Sequence, residues 1–212
     1  MTKRIVALLL AHFLISVVTQ AQERQDSKTG EGVTINLRDA RIAIPDLALR
    51  DQEGRTVHLY SDLIKDKVVV LSFFYTSCNY TCPMQAKSLA KLQSLLGERL
   101  GKTVFLISVT RDPVRDNPEK LKAWATRYKV QPGWTLVTGD EAEINKLIEP
   151  FTGKSAGGGM HLPATFIGND RSGIWTSATG VFPAEELLKV VDHLTQRNTK
   201  DGSGYKRASQ AW

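Results

Sequence analysis

The chain reads as a mixed α/β fold, on three observations. Val68 to Tyr75 is a nearly unbroken apolar run rich in β-branched residues, the pattern of a strand buried on both faces. A helical spacing of apolar residues follows directly, and the pair then repeats as a second buried-type strand, Thr103 to Val109, and a second helix. The chain closes on a hairpin pattern and a last helix. Strand, helix, strand, helix, hairpin, helix is the order of a thioredoxin-like domain: a central mixed sheet flanked by helices, here with an N-terminal β-hairpin extension. With 212 residues, 42% of them hydrophobic, one domain with a full core is expected.

The N-terminus has the plan of an export signal. Lys3-Arg4 precede an apolar run from Ile5 to Val18, and Thr19-Gln20-Ala21 offer a small-residue cleavage site, so residues 1–21 read as a signal peptide cut after Ala21. The run is shorter than the about 20 residues a membrane span needs, and His12 interrupts it. Membrane contact is therefore expected only if the signal stays uncleaved. The mature chain is expected in the periplasm or another extracytoplasmic space, where oxidising conditions require a thiol-reductant protein to keep a dithiol reduced. Residues 22–39 read as a flexible lead-in holding a short strand, 40–197 as the thioredoxin-like domain and 198–212 as a disordered basic tail. The net charge of +6 is concentrated in Lys3-Arg4 and the tail, which leaves the body nearly neutral and argues against a nucleic-acid partner.

In chain order, Val33–Leu37 and Ile44–Leu49 alternate as short strands, Asp51–Arg55 supply a turn, and Thr56–Tyr60 return. Ser61 is the expected cap of a short helical turn through Ile64. After the central strand, Pro83 fits a helix start, with Met84, Leu89, Leu92, Leu95 and Leu96 as the apolar face and Gly97 or Gly101 as the stop. Pro118 opens the next helix, with Leu121, Trp124, Ala125 and Tyr128 on one face. Trp134–Val137 make a third strand, and Asp140 caps a helix expected to stop at Pro150. Thr152–Gly159 form a glycine-rich loop, Thr165–Ile167 and Gly173–Ser177 the terminal hairpin, and Pro183 opens a helix through Leu194.

The two cysteines of the chain, Cys78 and Cys82, sit where the central strand passes into its helix. A bridge around so short a loop would add only about 2 kcal/mol by chain entropy, against about 4.7 for a long loop, so the spacing favours chemistry over stapling. Four residues apart in a helical first turn, both sulfurs would share a face with Cα atoms about 6 Å apart, fit for a reversible disulfide or a soft metal. A helix N-terminus favours the thiolate. A fall in pKa from about 8.5 to about 6.5 would raise the thiolate fraction at pH 7 from roughly 3% to roughly three quarters.

Two thiolates satisfy copper or zinc only in part, so a third ligand is sought among four histidines. His12 leaves with the signal, and His58 and His193 read as surface or core-edge residues. His161 differs: it ends the loop Gly157-Gly158-Gly159-Met160 and is anchored by the strand that begins after Leu162-Pro163, with Met160 as a soft fourth donor or a core residue.

Phe73 to Pro83, Phe-x-Tyr-Thr-x-Cys-x-x-x-Cys-Pro, resembles the signature of the Sco/SenC family, thioredoxin-fold copper proteins of cytochrome c oxidase assembly. Ile107 to Glu119, with Asp112-Pro113-Val114-Arg115-Asp116-Asn117-Pro118-Glu119, is similar to a second block of that family, and the resemblance covers roughly residues 40 to 195. It implies Cys78, Cys82 and His161 as ligands of copper, Cu(I) and Cu(II). It implies a metallochaperone that loads a cytochrome c oxidase subunit, exchanges with another copper chaperone, or reduces the oxidase's own cysteines. The chain departs from the family in having Met160, not Asp, before His161 and Pro163 after it; Leu162 to Phe166 is closer to the proline strand of thiol–disulfide oxidoreductases. The alternative is therefore an extracytoplasmic oxidoreductase in which Cys78 and Cys82 are catalytic without metal. Gly153-Lys154-Ser155 lacks the upstream glycine of a phosphate loop, Ile148 standing there. Asp112, Asp116 and Glu119 are read as helix caps and first-turn carboxylates.

Overall fold

Val68 to Phe74 forms the middle of the sheet, with all seven of its residues buried. The computed structural model describes residues 34–40, 42–152 and 163–200, which fall in one compact unit. The expected signal segment, most of the expected lead-in, the glycine-rich residues 153–159, Met160, His161 and residues 201–212 lie outside the described residues.

The strands are β1 (Thr34–Ala40), β2 (Ala48–Asp51), β3 (Thr56–His58), β4 (Val68–Phe74), β5 (Val104–Thr110), β6 (Trp134–Thr138), β7 (Ala164–Asn169) and β8 (Ile174–Thr179). The helices are α1 (Thr81–Leu96), α2 (Pro118–Arg127), α3 (Glu141–Thr152) and α4 (Ala184–Lys200). The eight strands form one sheet in the order β1-β8-β7-β4-β5-β6-β2-β3. β4 runs parallel to β5 and antiparallel to β7, and β5 runs parallel to β6, so the sheet is mixed as expected. The β2–β3 hairpin docks on β6 at one edge, and β1 pairs with β8 at the other.

Alternation along β4 serves two cores. Val68, Val70 and Phe74 face a layer built from α1, α2 and α4, which includes Leu92, Trp124 and Val191. Val69, Leu71 and Phe73 face the opposite layer, with Ile144, Leu147 and Phe151 of α3 and Trp175 of β8. Side chains on a strand point to opposite faces in turn, so this one run binds three layers together. Trp134 and Trp175 are both core residues.

Several local expectations are corrected. Met84 and Leu95 are 45% and 42% exposed; the buried face of α1 is Cys82, Gln85, Ala86, Leu89, Leu92, Gln93 and Leu96. The two glutamines are inside because each amide finds backbone partners, which periodicity of apolar residues cannot show. Ser61 lies within a π-helical turn over Leu59–Ile64 and does not cap it. The carboxylate of Asp46 accepts the N–H groups of Tyr60 and Ser61 there, each at 3.0 Å. α3 runs through Pro150 to Thr152, since a proline in the last turn forfeits only one backbone bond. α4 extends to Lys200, past the expected start of disorder at Asn198.

Candidate functional site

The cysteines stand at the carboxyl end of β4, where open α/β sheets place their sites. Cys78 is not in the helix. It belongs to a turn closed by its own N–H donating to the Tyr75 carbonyl at 3.1 Å, while Cys82 is the second residue of α1. Tyr80, the cap residue, contributes no side-chain bond to the helix end. Instead the Cys82 N–H donates to Cys78 Sγ at 3.4 Å, and the Thr81 hydroxyl lies 3.7 Å from the same sulfur. The sulfur thus occupies the place of a capping oxygen on first-turn N–H groups that have no partner within the helix.

Both thiols are free and buried, at 8% exposure for Cys78 and 6% for Cys82. They differ sharply in acidity. Burial opposes the Cys78 thiolate, but the Cys82 N–H and thiol, the Tyr80 N–H and the Thr81 hydroxyl outweigh it and bring its pKa down to about 6. Cys82 is pushed up to about 12, first by burial and then by its hydrogen bond to the Cys78 sulfur. The Tyr75 hydroxyl is raised, chiefly because it too bonds to Cys78. One sulfur is an anion at neutral pH and the other holds a proton beside it.

Asp116 supports this turn from below. Its side chain is fully buried and accepts the Thr76 N–H at 2.9 Å, the Thr110 hydroxyl at 2.5 Å and the Thr76 hydroxyl. Its carbonyl accepts the Thr138 hydroxyl at 2.7 Å. The carboxylate therefore ties the cysteine turn to the end of β5, and the carbonyl of the same residue ties it to the end of β6. It is not the cap of α2, a role taken by Asn117, whose side chain accepts the Lys120 N–H at 3.0 Å. Asp112 pairs with Arg115 at 2.9 Å, and Glu119 lies in the first turn of α2 as expected.

A second support comes from Gln85, one turn beyond Cys82. Its amide donates to the Ala164 carbonyl at 3.2 Å and the Thr165 hydroxyl at 3.1 Å, which joins the cysteine helix to the start of β7. In sequence Asp116 reads as a helix cap and Gln85 carries no signal, since Thr76 and Ala164, which they bond, lie 40 and 79 positions away. His58 pairs with Asp62 at 3.4 Å and His193 is exposed on α4. Among the described residues no group of three or more His, Cys, Asp or Glu side chains forms a metal-binding cluster. His161 and Met160 lie outside that set.

The SCO1/SenC family model matches residues 37–160, more than half of the chain. The chain belongs to the SCO1/SenC family. The match includes both cysteines and Asp116, and ends one residue before His161. The SCO1 protein homolog of Bacillus subtilis is 32% identical over 100 residues, covering 46% of this chain and 50% of the relative. The chain spans about half the length of the curated relatives it matches. BsSco, a member of the Sco family of cytochrome c oxidase assembly proteins with a disulfide switch, superposes with a TM-score of 0.61 at 24% identity, over 75% of this chain and 96% of that one. The copper-bound ScoI of Bradyrhizobium japonicum superposes with a TM-score of 0.57 at 24% identity, over 72% and 99%. These two likenesses carry the thioredoxin-like fold of the Sco/SenC proteins.

Proposed function

We propose that this Sco/SenC chain is an exported copper carrier that delivers copper to a respiratory cytochrome c oxidase, or reduces the cysteines of the oxidase's copper site before loading. The observation that carries the reading is the buried pair of unlike sulfurs at the end of the central strand. The donor chemistry fits: a thiolate and a thiol that loses its proton on binding are soft ligands for copper. Cys78 and Cys82 supply sulfur, and His161 supplies the nitrogen that lets one site serve both Cu(I) and Cu(II). Copper is cargo here, and the residues' own contribution is to hold Cys78 ionised, keep water from the pair and fix the turn through Asp116. Support for copper and for an oxidase partner comes from the family and from the relatives named above. Export rests on the sequence of residues 1–21.

Cu(II) added to the reduced protein tests this directly. A thiolate-to-copper charge-transfer band is expected, and it should be lost or displaced in His161→Ala. No band in the wild type sinks the copper reading, and an unchanged band in the variant removes His161 from the site. A second reading has its own observation. A nucleophile near pKa 6 beside a protonated partner is the arrangement of a thiol–disulfide reductase, in which Cys78 attacks and Cys82 resolves. Insulin reduction with strong metal-free turnover, abolished in Cys78→Ser, would favour it.

A further inference from the structure

A groove of about 360 Å³ opens beside the cysteine helix, lined by Pro83, Lys87 and Ala90 of α1 and by Arg127, Tyr128 and Lys129 at the end of α2. Pro83, Lys87 and Ala90 recur at the spacing of one helix face, and Pro83 is the neighbour of Cys82. At 1.5 Å of rise per residue, Lys87 stands only about 7.5 Å along the axis from Cys82. The floor is apolar: Tyr128 is buried and its ring lies tilted against Trp124, which in turn packs on Phe74. The rim is cationic, and no acidic side chain lines it. Among the described residues neither Lys87 nor Lys129 forms an ion pair, and the Arg127 guanidinium lies 5.8 Å from the Tyr128 ring centre.

Lys129 is the residue at which the chain leaves α2. Its φ of 53° lies in the left-handed region, where glycine or asparagine is the usual occupant. The buried amide of Gln93 clamps both sides of it, donating to the Lys129 carbonyl at 2.9 Å and accepting the Gln131 N–H at 2.9 Å. The bond from the Val130 N–H to the Ala125 carbonyl at 2.9 Å closes the same helix stop, so the position of Lys129 on the rim is fixed by backbone. The body of the chain is nearly neutral, so this is a local concentration of positive charge and not part of a general basic surface. Tyr80 and Met84, on either side of the Cys82-Pro83 step, are 76% and 45% exposed, which suits a protein surface over a small anion.

We propose that this groove docks an acidic segment of the partner protein that meets Cys78 and Cys82; the identity of the site it serves rests on the function proposed above. Carboxylates of the segment would sit against Lys87, Arg127 and Lys129, with an apolar or aromatic side chain on the Tyr128 floor, and the approach would bring the partner over the dithiol.

Fluorescence anisotropy of the reduced protein with a labelled peptide alternating Glu and Gly around one central Tyr tests the proposal at low and raised salt. Binding should weaken about tenfold in the double variant Lys87→Glu, Arg127→Glu and on raising the salt. Lys129→Gly guards against misfolding, because glycine suits the left-handed backbone. It should bind the peptide about threefold more weakly with a Tm no lower than wild type. Wild-type affinity in the double variant, or equal binding of a duplex DNA or phosphatidylglycerol vesicles in place of the peptide, overturns the proposal. The copper charge-transfer band should be the same in all three proteins. A wild type without that band would sink the copper reading while leaving the peptide result to stand.

Discussion

Cys78 owes its acidity to where the chain turns. Had it lain inside α1, its sulfur would have been one of several side chains on a helix face; outside the helix it receives the first-turn N–H of Cys82. Its pKa is depressed, so ionisation stabilises the fold fully above the ordinary thiol value of about 9 and the contribution is lost as pH falls toward about 6. Urea midpoints of the reduced, metal-free protein should therefore rise between pH 6 and 9, and Cys78→Ser should flatten that rise. Alkylation by iodoacetamide should show a midpoint near pH 6 for Cys78 and leave Cys82 unreacted over the same range. Asp116 is the other residue with a defined task. Asp116→Asn keeps the size but places an amide donor among three groups that already donate, so a loss of about 3 kcal/mol in urea unfolding is expected. The same variant should broaden the copper band, since Thr76 would no longer hold the turn. That Cys78 and Cys82 form a pair was legible from spacing alone. The place of Cys78 outside the helix was not, because the boundary depends on a turn at Tyr75 that no residue pattern marks.

At the scale of elements, α1 carries the site and buries one face. Leu92 is fully buried, and Leu92→Ala should cost about 3 kcal/mol by leaving a cavity beneath the cysteine helix. Leu95→Ala should change stability by less than about 0.5 kcal/mol, because that side chain is 42% exposed. Chemical denaturation of the two variants checks the contrast, and equal losses would contradict the observed face of the helix. Apolar spacing admitted both leucines to the core. What separates them is that Gln85 and Gln93 take two of the inward positions, one bonded to β7 and the other to the connection between α2 and β6, so the buried face is turned relative to the purely apolar one. The end of α3 shows the same limit: Pro150 is a stop signal in sequence, yet Phe151 beyond it packs on Phe73, Phe166 and Trp175 and draws the helix onward.

For the whole molecule, the sheet order sets what each segment protects. β1 covers the free edge of β8 and β2–β3 that of β6, so the pairs flanking the central strands are not exposed edges. A chain beginning after residue 40 should keep β4 and the cysteines but expose β8, and its self-association, followed by light scattering, should exceed that of a chain beginning at residue 32. Equal scattering would show that β1 has no protective role. The close approach of β7 and β8 matters in the same way. A Cβ on Gly168 would fall 2.3 Å from the Trp175 ring, so even Gly168→Ala should disturb the sheet that carries the downstream side of the site.

The amino-acid sequence determined the class of fold, the central strand, the dithiol and the family, because these follow from local periodicity and from residues within a dozen positions of one another. The tertiary structure decided which sulfur is the anion, which carboxylate holds the turn, which helix face is buried and where a cationic groove opens beside the site. The last three rest on hydrogen bonds or packing contacts between segments tens of residues apart; the first rests on groups two to four positions from Cys78 that the turn before the helix brings onto its sulfur. Burial strengthens or penalises charge only once the layers have closed around it.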